Sequence, residues 1–409
     1  MGRYRLARSS RRGPGVLTVQ LSNAVMLGGR ACGAGARCCR TMGSVLLAGA
    51  SGVVGSAALE RFLRDGEREV VAVSRREPEI TAARPYRHLS VDLQDADVIR
   101  EAVGGLEDVD DVVYAALYEK PGLMPGWTEH DHMETNLAML RNLLEPVMEA
   151  SPGLQHVSLL QGTKAYGIHL HPIPVPARER LPRDPHENFY WLQEDYVREK
   201  ADERGFAWTI FRPQLIVGST IGAPMNMIPV IGAYGAICRE EGLPFGFPGG
   251  ARGVFQTSDA RVVAGALRWA STAPTAAGEH FNVTNGEVCE WRELWPSISD
   301  TLGLEPAEDT PRQLSTWLLE HADSWERAVH RYDLRPLSLR ELLGDSHHYS
   351  DFIFAHGVEE GPPAVLVSDL KLHAAGFCEV MDTEETFRYW LTKLMERRIL
   401  PPAQVGAAA

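Results

Sequence analysis

Cysteine is scarce and poorly spaced. The six residues, Cys32, Cys38, Cys39, Cys238, Cys289 and Cys378, form no CxxC pair. That spacing excludes a zinc ribbon and a thioredoxin-like redox site, and the thiols are expected to be reduced and buried. A long apolar run is missing too: no stretch approaches the ~18 residues that a membrane span needs. Positive charge is short, and the net charge of −13 excludes a general affinity for nucleic acid. Lys, Asp and Glu are absent from residues 1–43, which hold eight Arg. An Arg-rich, acid-free start resembles a transit peptide, but Pro14 and the many Gly spoil an amphipathic helix. Residues 1–43 are therefore read as a disordered extension, or as sequence ahead of a start at Met42. Leu6 stands where a myristoylation motif needs Ser or Thr. A nucleophile elbow is lacking. His130-Asp131-His132, His169-Leu170-His171 and His347-His348 have no distant Cys or carboxylate cluster behind them. They read as solvated residues, and no metal is expected. These absences leave a cytoplasmic protein acting on a small molecule, without nucleic-acid or membrane partners; a homodimer is compatible with them.

What is present is a repeated alternation of strand and helix. Buried strands are expected at 44–48, 69–75, 88–92, 111–116, 155–160 and 207–212, from short apolar, β-branched runs. Helices are expected at 53–65, 95–103, 131–150 and 189–204 between them. Such an order implies an α/β fold with a doubly wound parallel sheet. Past Pro213 the rhythm breaks. Pro and Gly cluster over 213–250 and suggest loops. Helices are expected at 259–272, 290–302 and 383–398, with a strand near 280–284. The domains expected are the 1–43 extension, a dinucleotide-binding domain over 44–213, a smaller, mostly helical substrate lobe over 214–398 that returns some strands to the sheet, and a flexible tail over 399–409.

Gly49-Ala50-Ser51-Gly52-Val53-Val54-Gly55 follows the first strand and opens a helix. In that setting Gly49 allows the tight turn, Gly52 lets the backbone approach a pyrophosphate, and Gly55 lets helix pack on strand. The helix N-terminus offers free N–H groups to phosphates. The second strand ends in Ser74-Arg75-Arg76, where a domain preferring NAD usually has Asp or Glu. Two guanidinium groups suit a 2′-phosphate, so the expected cofactor is NADPH. Asp92-Leu93, past the third strand, would flank the adenine.

Two arrangements could carry hydride chemistry. Tyr196 and Lys200 form the YxxxK spacing in which Lys lowers the Tyr pKa for carbonyl reduction. Lys164, in Gly162-Thr163-Lys164-Ala165-Tyr166, and Tyr190, in Asn188-Phe189-Tyr190-Trp191-Leu192-Gln193-Glu194-Asp195, form the other. Tyr190 opens its helix, facing the ends of the strands. Tyr196 is six residues on, turned by about 240°, so both cannot serve one site. A carbonyl reductase or NAD(P)-dependent epimerase using Tyr196 and Lys200, and a non-catalytic NADPH-sensing regulator, remain alternatives.

The second set of segments resembles the progesterone-5β-reductase/iridoid-synthase (PRISE) family of atypical short-chain dehydrogenases/reductases. That family has a GTKxY-like segment after its fifth strand and an NFYYxxED-like helix start. Val73-Ser74-Arg75-Arg76, Arg212-Pro213, Met225-Asn226, Phe281-Asn282-Val283-Thr284-Asn285-Gly286 and Trp291 extend the likeness, which runs from about 44 to about 398. The resemblance implies a Rossmann fold and NADPH-dependent reduction of the double bond of an activated enone or enal. Hydride would go to the β-carbon, Tyr190 would stabilise the enolate, and Lys164 would supply positive charge. It implies cofactor contacts from Gly49, Ser51, Gly52, Val53, Val54, Gly55, Ser74, Arg75, Arg76, Asp92, Leu93, Ala115, Ala116, Leu117, Leu160, Gln161, Tyr190, Pro213, Ile216 and Met225. Tyr166, Met225, Tyr234, Phe245 and Tyr349 are expected in the substrate pocket. The chain departs from the family at Trp191, where a second Tyr is usual, at Ala165, and at Ala115-Ala116-Leu117, where an aromatic is common. Steroid or iridoid substrates are therefore not implied, and an apolar pocket for a small enone is expected.

Overall fold

The computed structural model describes residues 43–361 and 363–403. Residues 1–42 of the extension read over 1–43, with Cys32, Cys38 and Cys39, lie outside the described residues. The strands are β1 (Ser44–Ala48), β2 (Val70–Ser74), β3 (Arg87–Ser90), β4 (Val109–Tyr114), β5 (His156–Leu160), β6 (Ala207–Pro213), the two-residue β7 (Ile216–Val217), β8 (Val254–Phe255) and β9 (Ser258–Asp259), then β10 (Glu279–Val283) and β11 (Cys289–Glu290). Seven of them form one parallel sheet in the order β10-β6-β5-β4-β1-β2-β3. The chain builds outward from β1 to β3, then crosses back and builds from β4 to β10. The reversal opens a crevice at the C-terminal ends of β1 and β4, where doubly wound sheets bind ligands.

Helices cover both faces. They are α1 (Val53–Asp65), α2 (Ala96–Val103), α3 (His130–Ala150), α4 (Phe189–Arg204), α5 (Met227–Glu241), α6 (Ala260–Ala270), α7 (Trp291–Leu302), α8 (Leu314–Glu320), α9 (Ala322–Arg331), α10 (Leu339–Leu343), α11 (Ser346–Ile353), α12 (Leu370–Ala374) and α13 (Thr383–Glu396). Successive residues of β1 serve opposite faces, as the strand period of two requires. Val45 and Leu47 join the core built with α1, α5 and α6, whereas Leu46 and Ala48 join the core built with α2, α3 and α4. Among the described residues no helix is long and apolar enough to cross a membrane.

Four expectations are corrected. The Gly- and Pro-rich stretch after β6 contains the buried helix α5, capped by the Asn226 side chain and closed by Gly242 in the left-handed region. Its glycines are packing notches: a Cβ at Gly232 would meet Leu400 Cδ1 at 2.3 Å, and one at Gly235 would meet Leu302 Cδ1 at 2.8 Å. Because α5 is apolar on all sides it shows no helical periodicity. Ile399 and Leu400, placed in the flexible tail, are buried core residues. Cys378 is exposed, while Cys238 is buried. Of the histidines read as solvated, His132 and His347 are buried.

Candidate functional site

The glycine turn sits at the crevice as the motif requires. Gly49 has φ +79°, and a Cβ there would stand 2.5 Å from the Ala115 carbonyl oxygen. The backbone N–H of Gly49 donates to Val73 O at 2.9 Å, which ties the turn to β2. Gly52 caps α1 without any side-chain hydrogen bond, so the first N–H groups of the helix are left to an incoming acceptor. Gly55 packs against the turn itself: a Cβ would lie 2.0 Å from Gly49 O. This cradle fits a pyrophosphate, because the cap residue Gly52 carries no side chain and no side chain claims the first N–H groups of α1. Gly55→Ala should therefore open the turn, costing about 1–3 kcal/mol of stability as overpacking does and weakening nucleotide binding in step. Thermal melting and nucleotide titration would read both. Gly105→Ala, with nothing within 4 Å of its Cβ, is the control.

The turn leads into a cleft of about 490 Å³. Ser51, Gly52, Val53 and Val54 line it with Ser74, Arg75, Arg76, Asp92 and Leu93, followed by Ala115, Ala116, Leu117, Leu160, Gln161, Tyr190, Pro213, Ile216 and Met225. Of the expected cofactor residues, only Gly55 stays behind the wall. Ser74 Oγ donates to Arg76 O at 2.7 Å, which bends the chain after β2 and directs both Arg residues outward. Among the described residues the Arg75 side chain pairs with Asp92 alone, 4.0 Å away, and is 73% exposed, a pairing too weak to hold it from a phosphate. Met225 adopts φ +59°, uncommon for a residue with a side chain, immediately before the Asn226 cap of α5.

The chemistry-bearing groups converge farther in. Asn188 caps α4 by accepting from Tyr190 N at 3.0 Å, which sets Tyr190 in the first turn. Gln161, just past β5, donates to Tyr190 O at 3.3 Å and accepts from Arg212 Nε at 2.9 Å. Gly162 leaves space for the phenol: a Cβ there would be 3.2 Å from Tyr190 Oη. Burial pushes the Tyr190 pKa up, and Glu119 and Tyr349 add to this against Arg212. The hydroxyl therefore keeps its proton and is available as a donor. Lys164, on the 3₁₀ turn Thr163–Tyr166, has its ammonium 4.1 Å from the centre of the Trp127 ring and 5.9 Å from that of Tyr190. Burial lowers its pKa, and Glu119 opposes this. His169 faces the same cleft and is pushed down to about 4 by burial, then by His186 and Lys164, so its imidazole is neutral near pH 7.

The other tyrosines fall elsewhere. Tyr196 is buried in the core behind α4, its hydroxyl donating to Glu145 at 3.4 Å, and Lys200 pairs with Glu199 and Glu203. That pair does not meet the cleft. Of the expected pocket residues, Met225 and Tyr349 line it, joined at the mouth by Met124 and Phe352. Tyr166 is turned away and donates to Asn282 Oδ1 at 2.7 Å. Tyr234 and Phe245 are corrected: both are fully buried, 5.1 Å apart between rings, against Trp295 in the core. Tyr234 belongs to the buried helix α5, and Phe245 follows that helix and packs on it.

The sequence reading passed over Glu119 and Trp127. Both lie between β4 and α3, on a loop pinned by Asn136, which accepts from Tyr118 N and donates to Tyr118 O at 3.0 Å each. The available signal was the position of the loop, directly after the strand beside β1.

A family model described as the PRISE-like Rossmann-fold domain matches residues 91–341. The 3-oxo-Delta(4,5)-steroid 5-beta-reductase of Arabidopsis thaliana is 30% identical over 376 residues, covering 87% of this chain and 92% of that protein. The (S)-8-oxocitronellyl enol synthase of Antirrhinum majus is 28% identical over 375 residues, covering 87% and 92%. Among solved structures, UDP-glucose 4-epimerase from Bifidobacterium longum, in complex with NAD+ and UDP, superposes with a TM-score of 0.60 at 15% identity, over 87% of this chain and 99% of that one. The Bordetella bronchiseptica enzyme WbmH, in complex with NAD+, gives 0.58 at 16% identity, over 87% and 99%. At such identity the structural likeness shows the fold alone.

Proposed function

The chain belongs to the PRISE-like Rossmann-fold family, and on that basis we propose that it is an NADPH-dependent reductase of carbon–carbon double bonds conjugated to a carbonyl. The observation that carries this reading is the buried, protonated Tyr190 hydroxyl, beside the Lys164 ammonium, at the end of a cleft that begins on the glycine turn. When bound, NADPH supplies a hydride to the β-carbon of the substrate. Tyr190 donates a hydrogen bond to the carbonyl oxygen, and that bond strengthens as the oxygen takes on enolate charge. Lys164 contributes a positive field at the same point, made stronger by the low local dielectric. A proton taken from solvent at the α-carbon then converts the enolate to the saturated carbonyl product. Apolar side chains at the mouth, Leu117, Met124 and Phe352 among them, favour a small apolar enone or enal. Relatives named as an oxo-steroid reductase and as enol synthases support the chemistry, because hydride addition to a conjugated carbonyl yields an enolate. Arg75 and Arg76 at the end of β2 support NADPH over NADH.

Incubation of the protein with NADPH deuterated at the transferring position, with cyclohexenone, progesterone and a saturated aldehyde in turn, tests this directly. Deuterium should appear at the β-carbon of a saturated ketone. Reduction of the saturated aldehyde alone would replace the reading with carbonyl reduction. Tight NADPH binding with every acceptor untouched would replace it with a regulator.

A further inference from the structure

Glu119 has no part in the chemistry described so far, yet its environment is unusual. Its side chain is 4% exposed, inside a site where negative charge is expected to develop. One oxygen is fully engaged: Oε2 accepts from Trp127 Nε1 at 3.1 Å and lies 3.2 Å from His132 Nε2. His132 in turn sits 2.9 Å from Tyr118 O, so the carboxylate is held rigidly by the start of α3 and its preceding loop. Among the described residues the other oxygen, Oε1, is buried without a hydrogen-bond partner, and it stands 3.6 Å from Lys164 Nζ.

A buried carboxylate beside a forming enolate has the wrong sign for catalysis. It is tolerable only if an opposite charge faces it, and a lone buried charge is costly. The groups around the Lys164 ammonium are Glu119 from the loop after β4, Trp127 from the same loop, His169 after the 3₁₀ turn, and Phe189 and Tyr190 from α4. His132 on α3 and Tyr349 on α11 stand behind Glu119 and Tyr190 respectively. His169 is neutral and Tyr190 protonated near pH 7, which leaves Glu119 as the charge that answers Lys164.

We propose that Glu119 is a positioning residue for this reaction: it holds the Lys164 ammonium charged and seated over Trp127, set back from the Tyr190 hydroxyl. The inference rests on the assignment of Lys164 and Tyr190 to the reacting site. In the ground state the Glu119–Lys164 pair is balanced, and the ammonium remains in place when enolate charge appears on the far side. Loss of Lys164 alone would turn Glu119 into an uncompensated opponent of the enolate.

Two measurements test this. In the first, competitive acetylation across pH, read at Lys164 by peptide mass spectrometry, gives the midpoint of amine deprotonation without turnover. Glu119→Gln should lower that midpoint by about one to three units, the shift an opposite charge within 4–6 Å produces, while Glu119→Asp stays close to wild type. An unchanged midpoint overturns the proposal. In the second, kcat for enone reduction is compared in Lys164→Met and Lys164→Met/Glu119→Gln, with NADPH binding reporting that each is folded. The double variant should be faster than the single one by on the order of tenfold, the rate equivalent of a one-unit electrostatic shift. A double variant equal to or slower than Lys164→Met assigns Glu119 a merely structural role. If wild type reduces no enone, the functional reading fails, and the acetylation midpoint still decides the pairing.

Discussion

Tyr190→Phe should lower kcat for enone reduction by about 10²–10³-fold, the loss seen when one donor to a developing oxyanion is removed, with NADPH binding close to wild type. The substitution deletes only the hydroxyl. The ring keeps its edge-on contact with Phe189, 4.5 Å between centres, and the backbone keeps its cap from Asn188. The hydroxyl is buried and protonated, so the ground-state complex gains little from it, and the effect should fall on kcat rather than KM. Tyr196→Phe is the matched comparison. It removes the hydrogen bond to Glu145 in the core behind α4 and should leave turnover near wild type. Steady-state kinetics of both variants with the best acceptor decide the matter. A collapse in Tyr196→Phe with Tyr190→Phe unaffected would return the chemistry to the YxxxK pair.

The second large effect concerns the coenzyme. Replacing Arg75 and Arg76 together by Ala should weaken NADPH by roughly 100-fold or more, since each charge-assisted hydrogen bond to a phosphate contributes about 1.5–3 kcal/mol. NADH, which lacks the 2′-phosphate, should change little. Both side chains are exposed at the end of β2, and Arg75 stands 4.0 Å from Asp92 at the surface, so neither substitution disturbs the core. Fluorescence titration with both coenzymes gives the ratio. Equal weakening of the two would show that the Arg residues act on the pyrophosphate or on the fold, and would remove the argument for NADPH. Rising ionic strength should erode the NADPH preference for the same reason.

The features that were legible are those in which a short stretch of chain both forms an element and points it at the crevice. Gly49, Gly52 and Gly55 act within a single turn, and their spacing is the geometry. Ser74-Arg75-Arg76 follows its strand directly, so the strand's end and its charge are read together. Lys164 and Tyr190 are 26 positions apart, and no periodicity joins them; the likeness of their two segments to one family did. The YxxxK spacing of Tyr196 and Lys200 is just as regular, yet α4 turns that face into the core and toward solvent. Nothing local distinguishes the two tyrosines.

Local reading failed where packing decides. Gly232 and Gly235 look like loop residues, but they are notches for Leu400 and Leu302 in a helix buried on all sides. Tyr234 and Phe245 look like pocket aromatics, but their depth in the core depends on that helix. His132 looks like a solvated residue, but it is buried with its Nε2 3.2 Å from the buried Glu119 carboxylate, a contact between two segments that no local pattern announces. The alternation that builds the parallel sheet, the phosphate-binding turn and the arginines after β2 are written locally in the chain, since each depends on neighbours within a few residues. What lines the mouth of the cleft and which carboxylate faces Lys164 were settled only by the folded chain. Those outcomes depend on burial and on charges brought together from distant segments, and chain order does not encode that distance.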